Sequence, residues 1–455
     1  MPMRFLETVA AIATPPGQGA VAIVRVSGPD ALAVGGRVFR KRGATGHGEA
    51  VVGALAPRVQ HFGQIWEEGA LVDEVLLTVF PGPASFTGED VVEIGCHGGG
   101  LVTRRVLEAV LRAGAGAAGP GEFTRRAFLN GKLDLTQAEA IMDVVLAQSD
   151  LALRAAALQL GGSLGERVRG LQSQLLDLLA HLEAYIDFPE EDIAPETGSQ
   201  MQARMGLVRG ELEKLLATAR HGRVLRTGVR TVLSGAPNAG KSSLLNRLLG
   251  YERAIVSPFP GTTRDTLEEV VMLRGWSLRL VDTAGLREGG DALEQLGMER
   301  TRLQLEDADL ILQVSDGQKP PEPPAAAQDP RVLHVLNKVD LGEHSAWATT
   351  EAVRVSCLTG EGMEALEEAI VDTLQAGLGP ADAGDEVAIN ARHQDCVRRS
   401  LAFLRAAEEA LAGGIPPEFI AEELRASLGA LGEVVGRTDN EDLLGRIFSS
   451  FCIGK

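Results

Sequence analysis

The sequence predicts a multidomain α+β chain: a β-rich N-terminal domain, then an all-α helical domain with an α/β domain inserted into it. Three observations predict this. Short apolar runs broken by Gly and Pro occupy the first part of the chain. Long stretches with apolar residues three and four apart follow, and they return near the C-terminus. Between them, from Val229 to about Leu378, strand-like and helix-like segments alternate as in a doubly wound sheet. At 455 residues the chain is too long for one core, so about three domains are expected.

Taken in order, Val21–Val26 and Glu74–Phe80 read as strands of the first ~120 residues. From Arg125 the pattern becomes helical. Thr136-Gln-Ala-Glu139 has capping-box form, and Ala138, Ile141, Met142, Val145 and Leu146 continue it. Leu171, Leu175, Leu178, Leu182 and Tyr185 make one helical stripe, and Met201, Met205, Val208, Leu212 and Leu215 another, with Pro189 and Pro195 between them. Asp316 to Pro330 is a polar, Pro-rich surface loop. Past about Pro380, Val397, Leu401, Leu404 and Leu411, then Ile420, Leu424, Leu428 and Leu431, restore helical spacing. The domain limits read 1–120, 121–220 with 379–455 for the helical part, and 221–378 for the inserted part. Such stripes are core, not function.

Aromatic content is only 4% against 45% hydrophobic residues, so the cores are expected to be aliphatic. The balance of 44 Lys and Arg against 62 Asp and Glu gives a net charge of −18. A nucleic-acid-coating protein usually has the opposite balance, so any RNA-directed role needs a local basic patch or a partner, and the charge by itself implies a soluble, self-repelling chain. Cys96, Cys357, Cys396 and Cys452 form no C-x-x-C pair and no metal spacing, which reads as reduced thiols in a cytoplasmic protein. No apolar run reaches membrane-spanning length, and Arg4 and Glu7 precede any apolar stretch, so neither membrane span nor signal peptide is expected.

The chemistry concentrates in the inserted domain. The strand-like Val229–Ser234 runs into Gly235-Ala-Pro-Asn238-Ala239-Gly240-Lys241-Ser242, and Ser243–Leu249 reads as the helix after it. This is G-x-x-x-x-G-K-S with a strand before and a helix after, a context that argues against a plain tight glycine turn. Glycines let backbone N–H groups curl around phosphate oxygens at a helix N-terminus. Lys241 would reach the terminal phosphates and the Ser242 hydroxyl a Mg²⁺ ion. Gly261-Thr262-Thr263-Arg-Asp265 offers hydroxyls to the metal. Asp282-Thr283-Ala284-Gly285 ends the strand Leu278–Val281, placing a carboxylate near Mg²⁺ and a glycine N–H near the γ-phosphate. Asn337-Lys338-Val-Asp340 ends the strand Val332–Leu336, and the Asp340 carboxylate can accept two N–H bonds from guanine but not from adenine. Ser356-Cys357-Leu358, after Ala352–Val355, completes the base pocket. Four ordered motifs identify a translation-factor-like GTPase class. Leu286 stands where many small GTPases carry a water-orienting Gln. Something else must therefore meet the transition-state charge, and a monovalent cation or a residue further along, such as Glu288 or Glu294, could do it; Glu294 taken alone reads as a solvated helix charge.

With these motifs, further segments carry a family resemblance over essentially the full chain. They are Ala13-Thr-Pro-Pro-Gly17, Arg25-Val-Ser-Gly28, Phe86-Thr-Gly-Glu-Asp90, His97-Gly-Gly99, Gly121-Glu-Phe123, Lys132-Leu-Asp-Leu-Thr-Gln-Ala-Glu139, Pro237–Ser242 and the tail Phe451-Cys-Ile-Gly-Lys455. The chain resembles the TrmE/MnmE family of tRNA modification GTPases. The resemblance implies a β-rich N-terminal domain that binds a tetrahydrofolate derivative (5-formyl- or 5,10-methylene-) and dimerises, and a Ras-like P-loop domain set into the helical one. It implies a homodimer, a MnmG/GidA-type flavoprotein partner carrying FAD, and tRNA as the object: an aminomethyl-type group is placed on carbon 5 of the wobble uridine. It assigns folate contacts to Arg25, Glu93, Lys132 and Lys455. Mg²⁺ falls to Ser242 and Thr263, and K⁺ to Asn238 and Thr262 with backbone carbonyls of Ser257 and Phe259. Glu294 becomes the water-positioning acid. Against these assignments, Arg25 and Glu93 also read as a structural ion pair and Lys132 as a surface charge. His97 and Cys96 read as core or turn residues, and Cys452 as either a reactive or an inert buried thiol. Ser257 stands where Thr is common and Gln18 where a basic residue is common. Two rivals share part of the pattern. One is an Era/Der-type ribosome-assembly GTPase, which would carry a basic RNA-binding domain; the other is a folate-dependent one-carbon transferase merely regulated by its nucleotide domain.

Overall fold

A computed structural model describes residues 7–41, 52–187, 198–250, 268–282, 302–321, 329–378, 388–436 and 441–455. The chain divides into two compact units, one of residues 1–142 with 435–455 and one of residues 143–434.

The first unit is built on a seven-stranded sheet. Its strands are β1 (Val9–Ile12), β2 (Val21–Ser27), β3 (Phe39–Lys41), β4 (His61–Glu67), β5 (Ala70–Phe80), β6 (Val91–His97) and β7 (Gly116–Ala117), in the order β3-β4-β5-β6-β2-β1-β7. Alternation decides which face is covered. Val24 and Val26 on β2, Val92 and Ile94 on β6, and Val75, Leu77 and Val79 on β5 are buried, and they share a core with Val34, Val106 and Val110 of the helices Ala31–Val38 and Gly100–Arg112. The intervening residues Arg25 and Glu93 belong to the other face, where they are register partners. A second cluster joins Leu135, Ala138 and Met142 to Leu444, Phe448 and Phe451, so the C-terminal segment is part of this unit. The helix expected near Thr136 runs Leu135–Leu146, and its capping box lies two residues earlier than the sequence suggested. Gln137 N donates to Asp134 Oδ1, and Asp134 N donates to Gln137 Oε1, at 3.0 Å each. Thr136 sits inside the first turn with its hydroxyl on Asp134. Asp134 takes the cap position because its carboxylate reaches the Gln137 amide in the register that keeps Leu135 and Ala138 in the core.

The second unit combines helices with a six-stranded sheet. The helical stripes read from sequence bury as expected in Ser163–Asp187 and Gly198–Ala217, except that Tyr185 is exposed. Helix Gly198–Ala217 packs along Ala391–Ala412, with Arg209–Glu408 (3.1 Å) and Arg405–Glu213 (2.9 Å) pairs bridging them. Helix Pro417–Val435 joins through a buried Ser400–Ser427 hydrogen bond of 2.9 Å. The sheet comprises β8 (Val229–Ser234), β9 (Glu268–Leu273), β10 (Trp276–Asp282), β11 (Leu310–Asp316), β12 (Val332–Asn337) and β13 (Val353–Arg354). Its order is β13-β12-β11-β8-β10-β9, parallel throughout except for the edge pair β9–β10. Near-continuous apolar runs on β8 and β11 are what a two-sided parallel sheet requires. The chain enters this sheet through helix Ala219–Thr227 and returns at Ala388–Asn390. Gly222 approaches Ile389 so closely that a Cβ would meet its backbone. The Asp316–Pro330 stretch is described only at its ends.

Candidate functional site

In the second unit the motifs that begin at Gly235, Asp282, Asn337 and Ser356 stand at or just after the carboxyl ends of parallel strands, where open α/β sheets bind ligands. After β8 the backbone turns through left-handed conformations at Gly235 (φ 133°), Asn238 (φ 63°) and Gly240 (φ 100°). Glycine is required at two of these: a Cβ on Gly235 would strike the Val314 backbone, and one on Gly240 the Asn337 amide. The helix then starts at Lys241, two residues earlier than read from sequence, and is held by buried Leu244 and Leu248. Ser242 and Ser243 are exposed on its first turn. Lys241 is largely buried and its Nζ donates to the carbonyls of Gly235 and Ala236 at 2.9 Å each, so the ammonium already crowns the loop.

The base-side residues brace this loop. Asn337, buried, donates from Nδ2 to Ala239 O (3.0 Å) and accepts the Cys357 amide on Oδ1 (3.1 Å). It thus fastens the phosphate loop to the Ser356–Leu358 segment. Lys338 Nζ donates to Asn238 O (2.8 Å) and Asp316 Oδ2 (2.7 Å). Burial alone would raise the Asp316 pKa, but hydrogen bonds from Lys338 and the Gln318 amide outweigh it and hold the carboxyl below its usual range. Asp340 is exposed, and Ser356 is buried with its hydroxyl accepting the Thr359 amide (3.1 Å). Burial pushes the Cys357 thiol pKa up. Sequence reasoning passed over Asp316, although its place at the end of β11 beside two other motif-bearing strand ends was a usable signal. The sheet places Asp282 at the end of β10, next to β8. Ser257, Phe259, Thr262, Thr263, Thr283, Ala284, Gly285, Glu288 and Glu294 lie outside the described residues.

In the first unit two of the folate candidates, Arg25 and Glu93, meet directly. Arg25 and Glu93, opposite each other on β2 and β6, form an ion pair (2.8 Å) with both side chains about a fifth to a quarter exposed (20% and 25%). The Arg25 guanidinium lies 5.7 Å from the Phe86 ring centroid and 5.6 Å from that of Phe123. Its Nη1 also reaches Gly454 O at 3.5 Å, so the tail closes over it. The tail is pinned by Gly121 N to Cys452 O (3.3 Å) and Phe123 N to Lys455 O (3.2 Å). Gly454 (φ 97°) sits where a Cβ would strike the Ile12 carbonyl. Lys132 Nζ donates to Pro83 O (3.0 Å) rather than touching the ion pair, but it anchors the loop that carries Phe86. Phe86 and Phe123 were visible in the sequence only as parts of resembling segments. His97 is an exposed strand end paired with Asp73 (2.7 Å), whereas Cys96 is buried, which pushes its thiol pKa up.

Among the described residues no cluster of three metal-ligating side chains occurs, and no helix is long and apolar enough to cross a membrane. At the phosphate loop the exposed Ser242 hydroxyl is an oxygen donor of the kind Mg²⁺ takes.

Comparison with known proteins follows this geometry. A family model described as GTP-binding protein TrmE N-terminus matches residues 8–132, and one described as MnmE helical domain matches residues 135–452. The chain is 51% identical over 456 residues to a tRNA modification GTPase MnmE of Akkermansia muciniphila, covering 99% of each. It is 46% identical over 462 residues to the one of Symbiobacterium thermophilum, again 99% of each. Among solved structures, the G domain of the T. maritima FeoB iron transporter is 28% identical and covers 32% of this chain and 99% of its own, at a TM-score of 0.24. Two family models that between them span nearly the whole chain, and relatives matched end to end, place it plainly: the chain belongs to the MnmE family of tRNA modification GTPases.

Proposed function

We propose that this chain is a potassium-dependent GTPase that works with a MnmG/GidA-type flavoprotein in the cytoplasm. Together they install the aminomethyl or carboxymethylaminomethyl group on carbon 5 of the wobble uridine in certain tRNAs. The observation that carries this reading is the presence in one chain of a braced phosphate loop and of an Arg25–Glu93 pair closed by the C-terminal tail. The first suits a guanine nucleotide; the second suits a reduced folate, whose pterin edge pairs with a carboxylate and whose glutamate carboxylates attract Arg25, Lys132 and Lys455. We assign residues 1–120 to folate binding and dimerisation, 121–220 with 379–455 to the helical domain, and 221–378 to the G domain.

Asn238, Ala239, Gly240, Lys241, Ser242 and Ser243 bind the phosphates, with Ser257, Thr262, Thr263 and Asp282-Thr283-Ala284-Gly285. Asn337, Lys338, Asp340, Ser356, Cys357 and Leu358 bind the base. The cradle fits: glycine is obligatory at Gly235 and Gly240, and Lys241 can exchange its carbonyl partners for phosphate oxygens. Ser242 and Thr263 would hold Mg²⁺, which would neutralise phosphate charge, and Asn238, Thr262 and the carbonyls of Ser257 and Phe259 would hold K⁺, which would supply the positive charge an arginine finger gives elsewhere. Glu294 orients the attacking water that Leu286 cannot. FAD on the partner handles the redox step. A homodimer through the N-terminal units agrees with Phe62 and Leu76, cross-strand partners on the open sheet face that are 42% and 40% exposed.

The deciding measurement is mass analysis of wobble uridines in tRNA from cells lacking the protein, complemented with wild type or Lys241→Ala. Loss of the modified base that only wild type restores is expected; unchanged tRNA rejects the reading. Turnover should also be faster in KCl than in NaCl at equal ionic strength, and Asn238→Ala should lose the difference.

A further inference from the structure

Apart from both sites described above, the second unit holds a cavity of about 290 Å³ at the root of the six-stranded sheet. Helix Asp150–Leu160 supplies one wall. The two connections to the sheet, helix Ala219–Thr227 and residues 388–390, supply others. These connections touch at Gly222, where a Cβ would lie 2.5 Å from the Ile389 carbonyl oxygen, so the two walls are fixed against each other. Thr227 leads directly into β8, whose far end carries the phosphate loop. The volume is close to the ~300 Å³ lower end of ligand-binding pockets. Ala152, Ala155, Ala156, Leu225 and Ile389 make the lining smooth and apolar.

Two features of the lining favour negative charge. The first is Arg226, whose Nε donates to Asp143 Oδ1 at 2.5 Å. Neither of its terminal amino groups has a hydrogen-bond partner among the described residues. Asp143 therefore orients the guanidinium and leaves its other donors for a carboxylate. The pair does little for stability by itself, because the Arg226 side chain is 43% exposed. The second feature is the N-terminus of helix Ala391–Ala412. Its N-cap residue, Asn390, lines the cavity, and its first turn carries no acidic residue to offset the positive end of the helix dipole. Asp143 is the one acidic side chain in the lining, and it is already paired with Arg226. We propose that this cavity is a binding site for a small carboxylate with an apolar body. Arg226 pairs with the carboxylate, and the alanine wall of helix Asp150–Leu160 takes the body.

Calorimetry on the full chain tests it with three probes: 3-phenylpropionate, its neutral amide, and acetate, which has the charge without the body. The acid should bind with a Kd of about 1 mM or tighter, and the amide about tenfold more weakly or worse. Acetate should show no binding up to about 10 mM. Arg226→Gln should erase the preference for acid over amide. Ala155→Leu, at a half-buried position of the wall, should fill the space and abolish binding of both, while its GTP turnover stays that of wild type and shows it to be folded. The acid should also raise the melting temperature of wild type and leave that of Ala155→Leu unmoved. No binding of the acid at about 10 mM, equal affinity for acid and amide, or a preference that survives Arg226→Gln overturns the site. Unchanged affinity in folded Ala155→Leu overturns it too, since the ligand then lies elsewhere. Acetate binding as tightly as the acid rejects the apolar wall. Should Ala155→Leu lose turnover, the Arg226→Gln comparison decides alone.

Discussion

In the α/β unit the phosphate loop is one short run of chain, bent at Gly235, Asn238 and Gly240 and braced from the side by Asn337. The Arg25 site is instead assembled from two strands whose paired residues lie 68 apart, and from a tail that reaches Arg25 across 429 positions. On the function proposed above, one would recognise its ligand with backbone amides at a helix N-terminus and the other with side chains on an open sheet face. The difference predicts how each fails. A backbone cradle is robust to most side-chain changes but has single irreplaceable groups, whereas a side-chain corner loses affinity by increments.

The largest effect should come from Lys241→Ala. Its ammonium is the charge at the centre of the loop, and its loss should cut GTP turnover by roughly 10²- to 10³-fold, as losing one preorganised donor does elsewhere. Steady-state phosphate release measures it, and a fall of less than about fivefold would mean that the loop does not act on the terminal phosphates. Next, Asp340→Asn should weaken GTP by roughly 10- to 100-fold, the scale of a charge-assisted pair of hydrogen bonds, and favour xanthosine triphosphate. Competition binding of the two nucleotides reads this directly; an unaltered preference would place base selection elsewhere. On the other side of the comparison, Arg25→Ala and Lys132→Ala should differ. Arg25 is paired with Glu93, so its removal leaves a carboxylate without its partner and should cost more reduced-folate affinity, about tenfold or above. Lys132 holds the Phe86 loop through Pro83 and should cost only a few-fold. Titration with 5-formyl-tetrahydrofolate would separate them, and equal losses would show that the Lys132 charge matters to the ligand as much as the Arg25 guanidinium.

The same contrast explains what the sequence disclosed. The P-loop was legible because its chemistry is local: Gly, Lys and Ser at fixed spacing between an apolar strand and a helix leave few alternatives. The alternation of strands and helices after Gly228, and the stripes at Leu171 and Met205, were legible because periodicity is local too. The capping box was misplaced by two residues because Asp134–Gln137 and Thr136–Glu139 both satisfy its pattern, and only the packing of Leu135 and Ala138 against Leu444 and Phe448 selects the register. Arg25 and Glu93 were reachable only by resemblance, since nothing local says that two residues on separate strands will face each other. The ion pair of buried Arg126 with Glu89 (3.1 Å) went unnoticed for the same reason: a buried charge looks in sequence like any surface charge.

The smallest effect expected sharpens the comparison from within the nucleotide site. Lys338 binds Asn238 O and Asp316 Oδ2, joining the base loop to the phosphate loop. Lys338→Met should therefore weaken GTP only a few-fold and lower unfolding stability by roughly 1 kcal/mol, the net worth of one such hydrogen bond. Its pH dependence follows from Asp316. The carboxyl pKa is held below its usual range in the folded chain, so the stabilisation it brings is present above the unfolded value near ~3.9 and is lost only as pH falls through the lower folded value. The stability gap between wild type and Lys338→Met should thus be constant from about pH 5 to 7 and close only in stronger acid. Thermal melts of both proteins across that range test the point. A gap that narrows already between pH 7 and 5 would mean that a different titrating group, and not the Asp316 carboxylate, secures Lys338 between the two loops.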